Sequence, residues 1–397
     1  MESIMVKRFQ AAGLVLIFVA GLLVQTTAAD ARRRSHREAA GTVGKVSAST
    51  VTTCDRLAAD PADPAKVAPG VALKAIKGAE ALRQCQFLSK KLPAVARFAY
   101  QTGRALENLG RVPEALATYR QAASAGSVTA ASRSGIMLRD GVGAKADQRE
   151  ANKLLRLAAD KGEPSCAMAL ARQFSEGRGV TASKGDAAKY YKVAAAKGDP
   201  LALNNLGELL REGDGINRDE KQAVGLFEKA AEKGSGRALF NLGLAYRDGS
   251  GVNKDIGKAM QYFEQAGAKG ENEALLKIAF AYLTGNGVKE DDHRALVYYE
   301  KAATAGNADG MAGVAYIFAN ARGVEADPVQ AADWLMKALA GRSAYAMAQM
   351  SEHSNEWSVD VRKALQEALI AKGLLQGGAD GSFTPETMAA IRKLAGK

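Results

Sequence analysis

The chain has 397 residues and a formal net charge of +11, with 47% hydrophobic but only 6% aromatic side chains. This composition favours closely packed helices rich in alanine and glycine over a large enzyme core. The length leaves room for two or three domains or for one long repeat array.

The first residues have the pattern of a secretory signal peptide, which we predict over residues 1–29. Lys7 and Arg8 give a positive start, and the apolar run from Ala11 to Val24 is followed by small residues. A membrane anchor is the alternative, but this run of 14 residues is shorter than the roughly 20 needed to span a bilayer. We therefore predict a periplasmic mature chain that begins near Asp30 or Arg32 and has no transmembrane span.

Residues 30–50 are predicted to form a flexible basic arm. Arg32, Arg33, Arg34 and Arg37 stand among small and polar residues, which cannot bury enough surface to fold. Nucleic acid is not predicted as a partner, because no base-reading or stacking groups accompany the arginines. A solvated arm that touches anionic lipid or wall polymer is the simpler interpretation.

Residues 51–93 are predicted to form a helical N-terminal cap. The segment from Cys54 to Pro61, the pair Gly70-Val71 and a helix ending near Cys85 resemble the cap that precedes helical repeats in some exported bacterial proteins. Two cysteines that flank a short helical hairpin in an oxidising compartment are predicted to form a disulfide, Cys54–Cys85. A metal pair would lack nearby His or Cys partners, and a redox pair is normally C-x-x-C.

Glycine and alanine recur every 36 residues, which is the signature of a repeat protein. A first series contains Gly126, Gly162, Gly198, Gly234, Gly270 and Gly306. A second series contains Ala115, Ala151, Ala187, Ala223, Ala259, Ala295 and Ala331. A third series contains Gly141, Gly177, Gly213, Gly249 and Gly285, with Ala321 in the sixth place. Three series in one register indicate a repeat array.

Each series fits a role in a pair of antiparallel helices. The third falls in loops such as Gly213-Asp214-Gly215-Ile216, where glycine permits a positive φ and the apolar residue anchors the loop. The first series follows the second helix of each pair, as a left-handed C-terminal cap. The residues predicted to cap the start of that helix are Asp147, Ser183, Asp219, Asp255, Asp291 and Asp327.

The repeated pattern is A-x-x-x-L-G-x-x-[YL]-x-x-G-x-G-[VI], followed by D-x-x-x-A-x-x-[YF]-x-x-A-A-x-x-G. Over residues 94–353 it resembles the Sel-one-like repeats of the tetratricopeptide superfamily. Residues 94–126 lack the glycine loop and look like an ordinary tetratricopeptide unit. The resemblance implies an all-α fold, a right-handed α-solenoid of stacked helix pairs, and a function in binding other proteins.

Residues 354–397 are predicted to form a small helical module that resembles the end of a peptidoglycan-binding-type domain. The matching residues are Leu365, Gln366, Leu369, Gly373, Asp380, Gly381, Phe383, Pro385, Thr387 and Ile391. Thr384 stands where that family usually has glycine, and the segment is short for the whole module. A degenerate structural cap on the solenoid is therefore the alternative.

No pattern of catalytic or metal-binding residues stands out. His36, His293 and His353 have no Cys or His partner at metal-ligand spacing, and neither a nucleophile elbow nor H-E-x-x-H occurs. Cys166 is predicted to be a buried free thiol, because it occupies a repeat position held elsewhere by Ala130, Ala202, Ala238 and Ala274. We predict no enzyme activity, no cofactor and no metal.

Aligned positions of the first helix in each pair predict a partner-binding groove, because that helix lines the concave face in tetratricopeptide stacks. The predicted groove residues are Arg139, Arg172, Arg211, Arg247, Phe240, Leu244, Phe280 and Tyr316. We expect the arginines to steer an acidic segment and the apolar side chains to bury its apolar part. Alternatively, the aromatic side chains pack on neighbouring units and the arginines are solvated.

These observations together predict an exported envelope scaffold or regulatory adaptor that binds envelope proteins or peptides through the solenoid surface. The alternative is a peptidoglycan-associated protein, or a non-catalytic activator of a cell-wall enzyme, that uses the C-terminal module.

Overall fold

The computed structural model describes residues 50–396, and all regular secondary structure in that range is helical. The predicted signal peptide and all but the last residue of the predicted basic arm lie outside the described residues. The nineteen α-helices of this range are α1 Thr53–Ala58, α2 Gly78–Lys91, α3 Ala96–Asn108, α4 Val112–Ser124, α5 Val128–Asp140, α6 Gln148–Ala159, α7 Pro164–Glu176, α8 Lys184–Ala196, α9 Pro200–Glu212, α10 Glu220–Glu232, α11 Gly236–Asp248, α12 Ile256–Ala268, α13 Asn272–Thr284, α14 Asp292–Thr304, α15 Ala308–Ala319, α16 Pro328–Ala340, α17 Ala344–Glu352, α18 Val359–Ala371 and α19 Pro385–Leu394. Leu73–Ala75 and Ser354–Glu356 form short 3-10 turns.

The helices from α3 to α16 form consecutive antiparallel pairs, so the all-α solenoid of repeated helix pairs is confirmed. The first helix of a pair approaches the second closely where it carries glycine. A Cβ on Gly207 would come within 2.6 Å of the Phe227 ring, and a Cβ on Gly243 within 2.5 Å of the Phe263 ring. The small residues of the repeat therefore make room for an aromatic side chain of the partner helix.

The helix caps are also confirmed. All six predicted side chains accept a hydrogen bond from the backbone amide three residues later, as when Asp147 Oδ1 accepts from Glu150 N at 2.9 Å. The capping oxygen satisfies an amide that has no partner within the helix. Gly213, at the end of α9, has φ +72°, in the left-handed region that glycine enters without strain.

Two residues that are not glycine also have a left-handed backbone. Ala321 has φ +51° and Arg342 has φ +62°, and both stand at glycine positions of the 36-residue repeat. A side chain at such a φ costs about 1–2 kcal/mol, because Cβ crowds the following carbonyl. The last repeat therefore keeps the turns of the others although it has lost two of their glycines.

By its internal contacts the chain divides into two compact units. The first extends through Cys166 and includes Arg178–Val180, and the second comprises Ala167–Gly177 with Thr181–Lys397.

The first unit begins with the predicted disulfide, which joins Cys54 on α1 to Cys85 on α2. Beside it the carboxylate of Asp55 is fully buried. It accepts hydrogen bonds from Arg97 Nε at 3.0 Å and Gln101 Nε2 at 2.9 Å, both on α3, and from Thr52 N at 2.8 Å. The disulfide thus joins the two helices of the cap, and the buried Asp55 carboxylate holds the cap to the first repeat.

The second unit ends in a single apolar core that extends from the last repeat into the C-terminal helices. Leu335 on α16 shares this core with Trp357, with Leu365 and Leu369 on α18, and with Ile391 on α19. Residues 354–396 therefore cover the last repeat.

Candidate functional site

In the second unit, helices α11, α13 and α15 line an open groove of about 930 Å³. We call it the apolar groove. Three of the predicted groove residues, Arg247, Phe280 and Tyr316, line it. These helices come from three successive repeats, so the 36-residue spacing places equivalent positions side by side along the groove.

Large apolar side chains in the groove remain open to solvent. Phe280 on α13 is 54% exposed and Tyr345 on α17 is 44% exposed, and Leu276 and Leu283 lie beside them in the lining. Single exposed apolar residues are common, but several that converge in one concavity mark a binding surface. The Tyr345 contribution was missed at the sequence level, because the helix that carries it belongs to the incomplete last unit.

Phe240 does not line the groove, and the prediction for this residue is wrong. It is only 2% exposed and packs against Phe263, with 5.7 Å between the ring centroids. The Arg237 guanidinium lies 5.1 Å from the Phe240 ring centroid, on the solvent side. Phe240 stands three positions before the repeat glycine and faces the second helix of its own pair. The sequence alignment could not distinguish this direction from that of the groove.

Leu244 is half-buried and lines a neighbouring depression of about 650 Å³ together with Arg211 and Arg247. The structure therefore brings Arg211, Leu244 and Arg247 together, and places Phe280 and Tyr316 on the far side of Arg247.

Three of the predicted arginines are engaged by the acidic residue that follows them in the chain. These pairs are Arg139 with Asp140 at 2.7 Å, Arg211 with Glu212 at 2.8 Å and Arg247 with Asp248 at 2.7 Å. The Arg247 guanidinium holds the pKa of the Asp248 carboxyl below its usual range. Such pairing weakens the attraction of a distant acidic segment. Arg139 lies in the first unit, and Arg172 is exposed.

The groove also contains cations that the alignment did not single out, Lys277 and Arg322. Arg322 Nη2 donates to Leu283 O at 3.1 Å, to Glu290 at 2.6 Å and to Asp292 at 2.8 Å. Its Nε is buried and has no acceptor within the described residues. Arg322 belongs to a glycine loop and not to a first helix, so a search confined to first helices could not find it.

Cys166 is buried and free, as predicted. Burial raises the pKa of its thiol to about 12, and its backbone amide donates to Glu163 at 2.7 Å. A thiol that stays protonated at neutral pH is a poor nucleophile. Its equivalents Ala202 and Ala238 are fully buried, which agrees with a packing role.

The residues that carry the C-terminal resemblance are mostly internal. Leu365, Leu369 and Ile391 lie in the shared core. Gln366 is buried, accepts from Gly381 N at 2.7 Å and donates to Ser382 O at 2.9 Å. These residues hold the helices and the turn together.

Residues 50–396 contain no cluster of three or more His, Cys, Asp or Glu side chains arranged to hold a metal ion. Over the same range, no helix has the length and apolar character needed to cross a bilayer.

The family described as Sel1 repeat matches six consecutive segments, residues 128–163, 164–199, 200–235, 236–271, 272–307 and 308–343. These segments of 36 residues cover more than half of the chain and include every helix that lines the apolar groove except α17. No curated protein matches the chain.

Solved structures similar to this chain include the following two. A Sel1 repeat protein from Oxalobacter formigenes is 29% identical, with 60% of this chain and 96% of that chain covered and a TM-score of 0.51. The protective antigen c5321, present in uropathogenic Escherichia coli strains and displaying an SLR fold, is 24% identical, with coverages of 82% and 73% and a TM-score of 0.56. The second likeness concerns the fold alone.

Proposed function

The chain belongs to the Sel1 repeat family, whose members generally mediate protein–protein interactions, and from this premise we propose that it is an exported, non-catalytic scaffold or adaptor that binds partner proteins in a bacterial cell envelope. The observation that carries the proposal is the apolar groove, with exposed Phe280 and Tyr345 in a concavity of about 930 Å³. Aromatic side chains in such a setting contribute much of the binding energy of protein interfaces.

Burial of apolar side chains drives this binding more than charge does. The cations Arg247 and Arg322 are already held by acidic neighbours, so the attraction that an incoming carboxylate feels is reduced. A partner segment gains chiefly by covering Phe280 and Tyr345 and by excluding water from the floor between them. The arginines then fix the orientation of the segment.

Substitutions that shorten the exposed aromatic side chains test the groove. Phe280→Ala together with Tyr345→Ala is expected to reduce co-purification of crosslinked envelope partners about tenfold or more, while the helical melting curve changes little because both side chains are largely exposed. Val329→Ala is the matched control, since Val329 is 64% exposed and lies outside the groove. Undiminished capture by the double variant would contradict the groove as the partner site.

Export has its own test. The charged start, the apolar run and the small residues before Asp30 support cleavage near that residue. The intact mass of the protein from the envelope fraction is expected to lack residues 1–29. A mass that includes them would contradict export with cleavage.

The alternative, a peptidoglycan-associated protein or an activator of a wall enzyme, is supported by the C-terminal resemblance alone. Co-sedimentation with purified sacculi, compared between the full chain and the chain with Arg362→Ala, tests it without removing the core. Arg362 Nη1 donates to Gly381 O at 2.7 Å, so the substitution loosens the turn that carries the resemblance. We expect the two chains to sediment with sacculi to the same extent. Weaker sedimentation of the Arg362→Ala chain would favour wall binding.

A further inference from the structure

Besides the groove, the second unit carries a series of aromatic pairs, each formed between the two helices of one repeat. The rings of Phe174 and Tyr190 are 5.8 Å apart, those of Tyr246 and Tyr262 5.5 Å, and those of Tyr282 and Tyr298 6.0 Å. Within the second unit one repeat breaks the series: at the positions 36 residues after Phe174 and Tyr190 stand Leu210 and Leu226. The repeat at residues 128–163, in the first unit, also has leucines at these positions, Leu138 and Leu154.

The intact pairs show what the aromatic side chain does. The Tyr298 hydroxyl donates to Glu264 Oε1, on the preceding repeat, at 2.7 Å. Lys301 Nζ lies 4.6 Å from the Tyr298 ring centroid. Tyr298 also packs against the core that contains Ile278. One ring thus fills the space between two repeats and engages the polar side chains on both sides of it.

In the broken repeat the same space is open. A trough of about 570 Å³ lies there, and we call it the lysine trough; it is lined by Lys192, Leu203, Leu206, Gly225, Leu226 and Lys229, among others. Leu226 occupies the repeat position that Tyr298 occupies in the filled site, and leucine lacks both the ring and the hydroxyl. A Cβ built on Gly225 would meet no atom within 4 Å, so the opening is not filled from that side either.

Both charged residues at the edges of the trough are cationic, whereas the filled site has one anion and one cation, so the trough favours an acidic ligand. Lys192 stands where the filled site has Glu264, and Lys229 stands where it has Lys301. Both lysines are exposed, and no ion pair joins either of them to another described residue. The trough therefore offers an apolar floor between two cations.

We propose that the lysine trough binds an acidic segment of a partner protein, which inserts one aromatic side chain where Tyr298 lies in the filled site. The ring covers Leu203, Leu206 and Leu226, and carboxylates on either side of it pair with Lys192 and Lys229. The predicted basic arm of this chain has the wrong charge for this surface. The proposal does not depend on the apolar groove, which is lined by other residues.

The probe for this site is a fluorescent peptide whose single phenylalanine is flanked on both sides by glutamates, titrated against the full mature chain and followed by anisotropy. Leu226→Tyr refills the trough and is expected to weaken binding about tenfold or more. Lys192→Glu with Leu226→Tyr recreates the Tyr298–Glu264 pair and is expected to abolish binding. Lys192→Glu with Lys229→Glu is expected to weaken binding at least as much as Leu226→Tyr does, because both cations are replaced by anions. Raised salt is expected to weaken binding to the unsubstituted chain.

Lys221→Glu is the control for the Lys229→Glu substitution, because it makes the same charge change on the same helix, α10, outside the trough. It is expected to leave the dissociation constant within a factor of about two. Circular dichroism melts of all variants show whether each is folded, and a second peptide with serine for phenylalanine should bind weakly to the unsubstituted chain. Equal binding of the glutamate–phenylalanine peptide to the unsubstituted chain and to Leu226→Tyr would overturn the proposal. Self-association of the chain alone that Leu226→Tyr abolishes would also overturn it, since a second copy would then be the occupant.

Discussion

The two ends of the described chain cover the repeats by different physical means. At the start, Asp55 and Arg97 form a buried ion pair beside the Cys54–Cys85 disulfide. At the end, Leu365 and its neighbours continue the apolar core of the last repeat without a covalent link or a buried ion pair among the described residues. A repeat array needs a terminal element to cover its last apolar face. At the first end an apolar core that includes Phe98 is reinforced by the ion pair and the disulfide, whereas at the second end the apolar core has neither reinforcement among the described residues.

The difference predicts different sensitivities at the two ends. A buried ion pair is destabilising when one partner is removed, because the other charge stays buried. A packed apolar core loses stability in proportion to the volume removed. The first end should therefore respond to reductant and to loss of charge, and the second end only to loss of volume.

The largest effect is expected for Asp55→Ala. Its carboxylate is fully buried, and its removal leaves the Arg97 guanidinium buried without its counter-charge. We expect a loss of about 3–5 kcal/mol in the free energy of unfolding, measured by chemical denaturation of the oxidised protein. Asp140→Ala, which also removes an acid from an arginine pair but at the surface, is the control and should cost less than about 1 kcal/mol. Similar losses for both would contradict the role assigned to burial.

Removal of the disulfide comes next. Cys54→Ala with Cys85→Ala is expected to cost about 3–4 kcal/mol, because the bridge restricts the unfolded chain over a separation of 31 residues. Cys166→Ala should change stability by less than about 1 kcal/mol, since alanine is the usual residue at that repeat position. Thiol labelling of the native protein without reductant gives an independent check: Cys54 and Cys85 should not react, and Cys166 should react only slowly.

Leu369→Ala tests the other end. Leu369 is fully buried in the C-terminal core, and its truncation is expected to cost about 3 kcal/mol. The loss of stability caused by Leu369→Ala should be the same with and without reductant. Reductant itself is expected to lower the stability of the first end, because it breaks the Cys54–Cys85 bridge. A cost that depended on reductant would show that the two ends do not respond independently.

The smallest effect is a gain. Ala321→Gly relieves a left-handed backbone at φ +51° and is expected to raise the free energy of unfolding by about 1 kcal/mol. Gly285→Ala makes the reverse change at the equivalent turn of the preceding repeat, where φ is +64° and no neighbour lies closer than 3.5 Å to the new Cβ. If Gly285→Ala lowers the free energy of unfolding by a similar amount, both effects arise from the left-handed backbone.

The features that the sequence predicted well depend on local chemistry or on the repeat itself. The caps at residues such as Asp147, the left-handed glycines and the helix pairs follow from signals within a few residues, which recur in one register. The disulfide was predictable because few cysteines were available in a chain expected to be exported.

The binding surfaces were less predictable, because exposure depends on how neighbouring helices meet. Phe240 and Phe280 stand at different positions of the same kind of helix, and one is buried against Phe263 while the other is open. The pairing of Arg247 with Asp248 could have been anticipated from their adjacency in the sequence. The leucine at position 226 is visible in the repeated sequence, but the lysine trough required coordinates, because only the packing shows that Lys192, Leu226 and Lys229 border one open space.

That partners bind in the apolar groove is tested most directly by site-specific photo-crosslinking in cells. A photo-reactive phenylalanine analogue at position 280 is compared with the same analogue at position 329, because both native side chains are more than half exposed but only Phe280 lines the groove. We predict discrete crosslinked partner proteins from position 280 and none of those species from position 329. The same products from both positions, or products from position 329 alone, would contradict the groove as the site of partner binding.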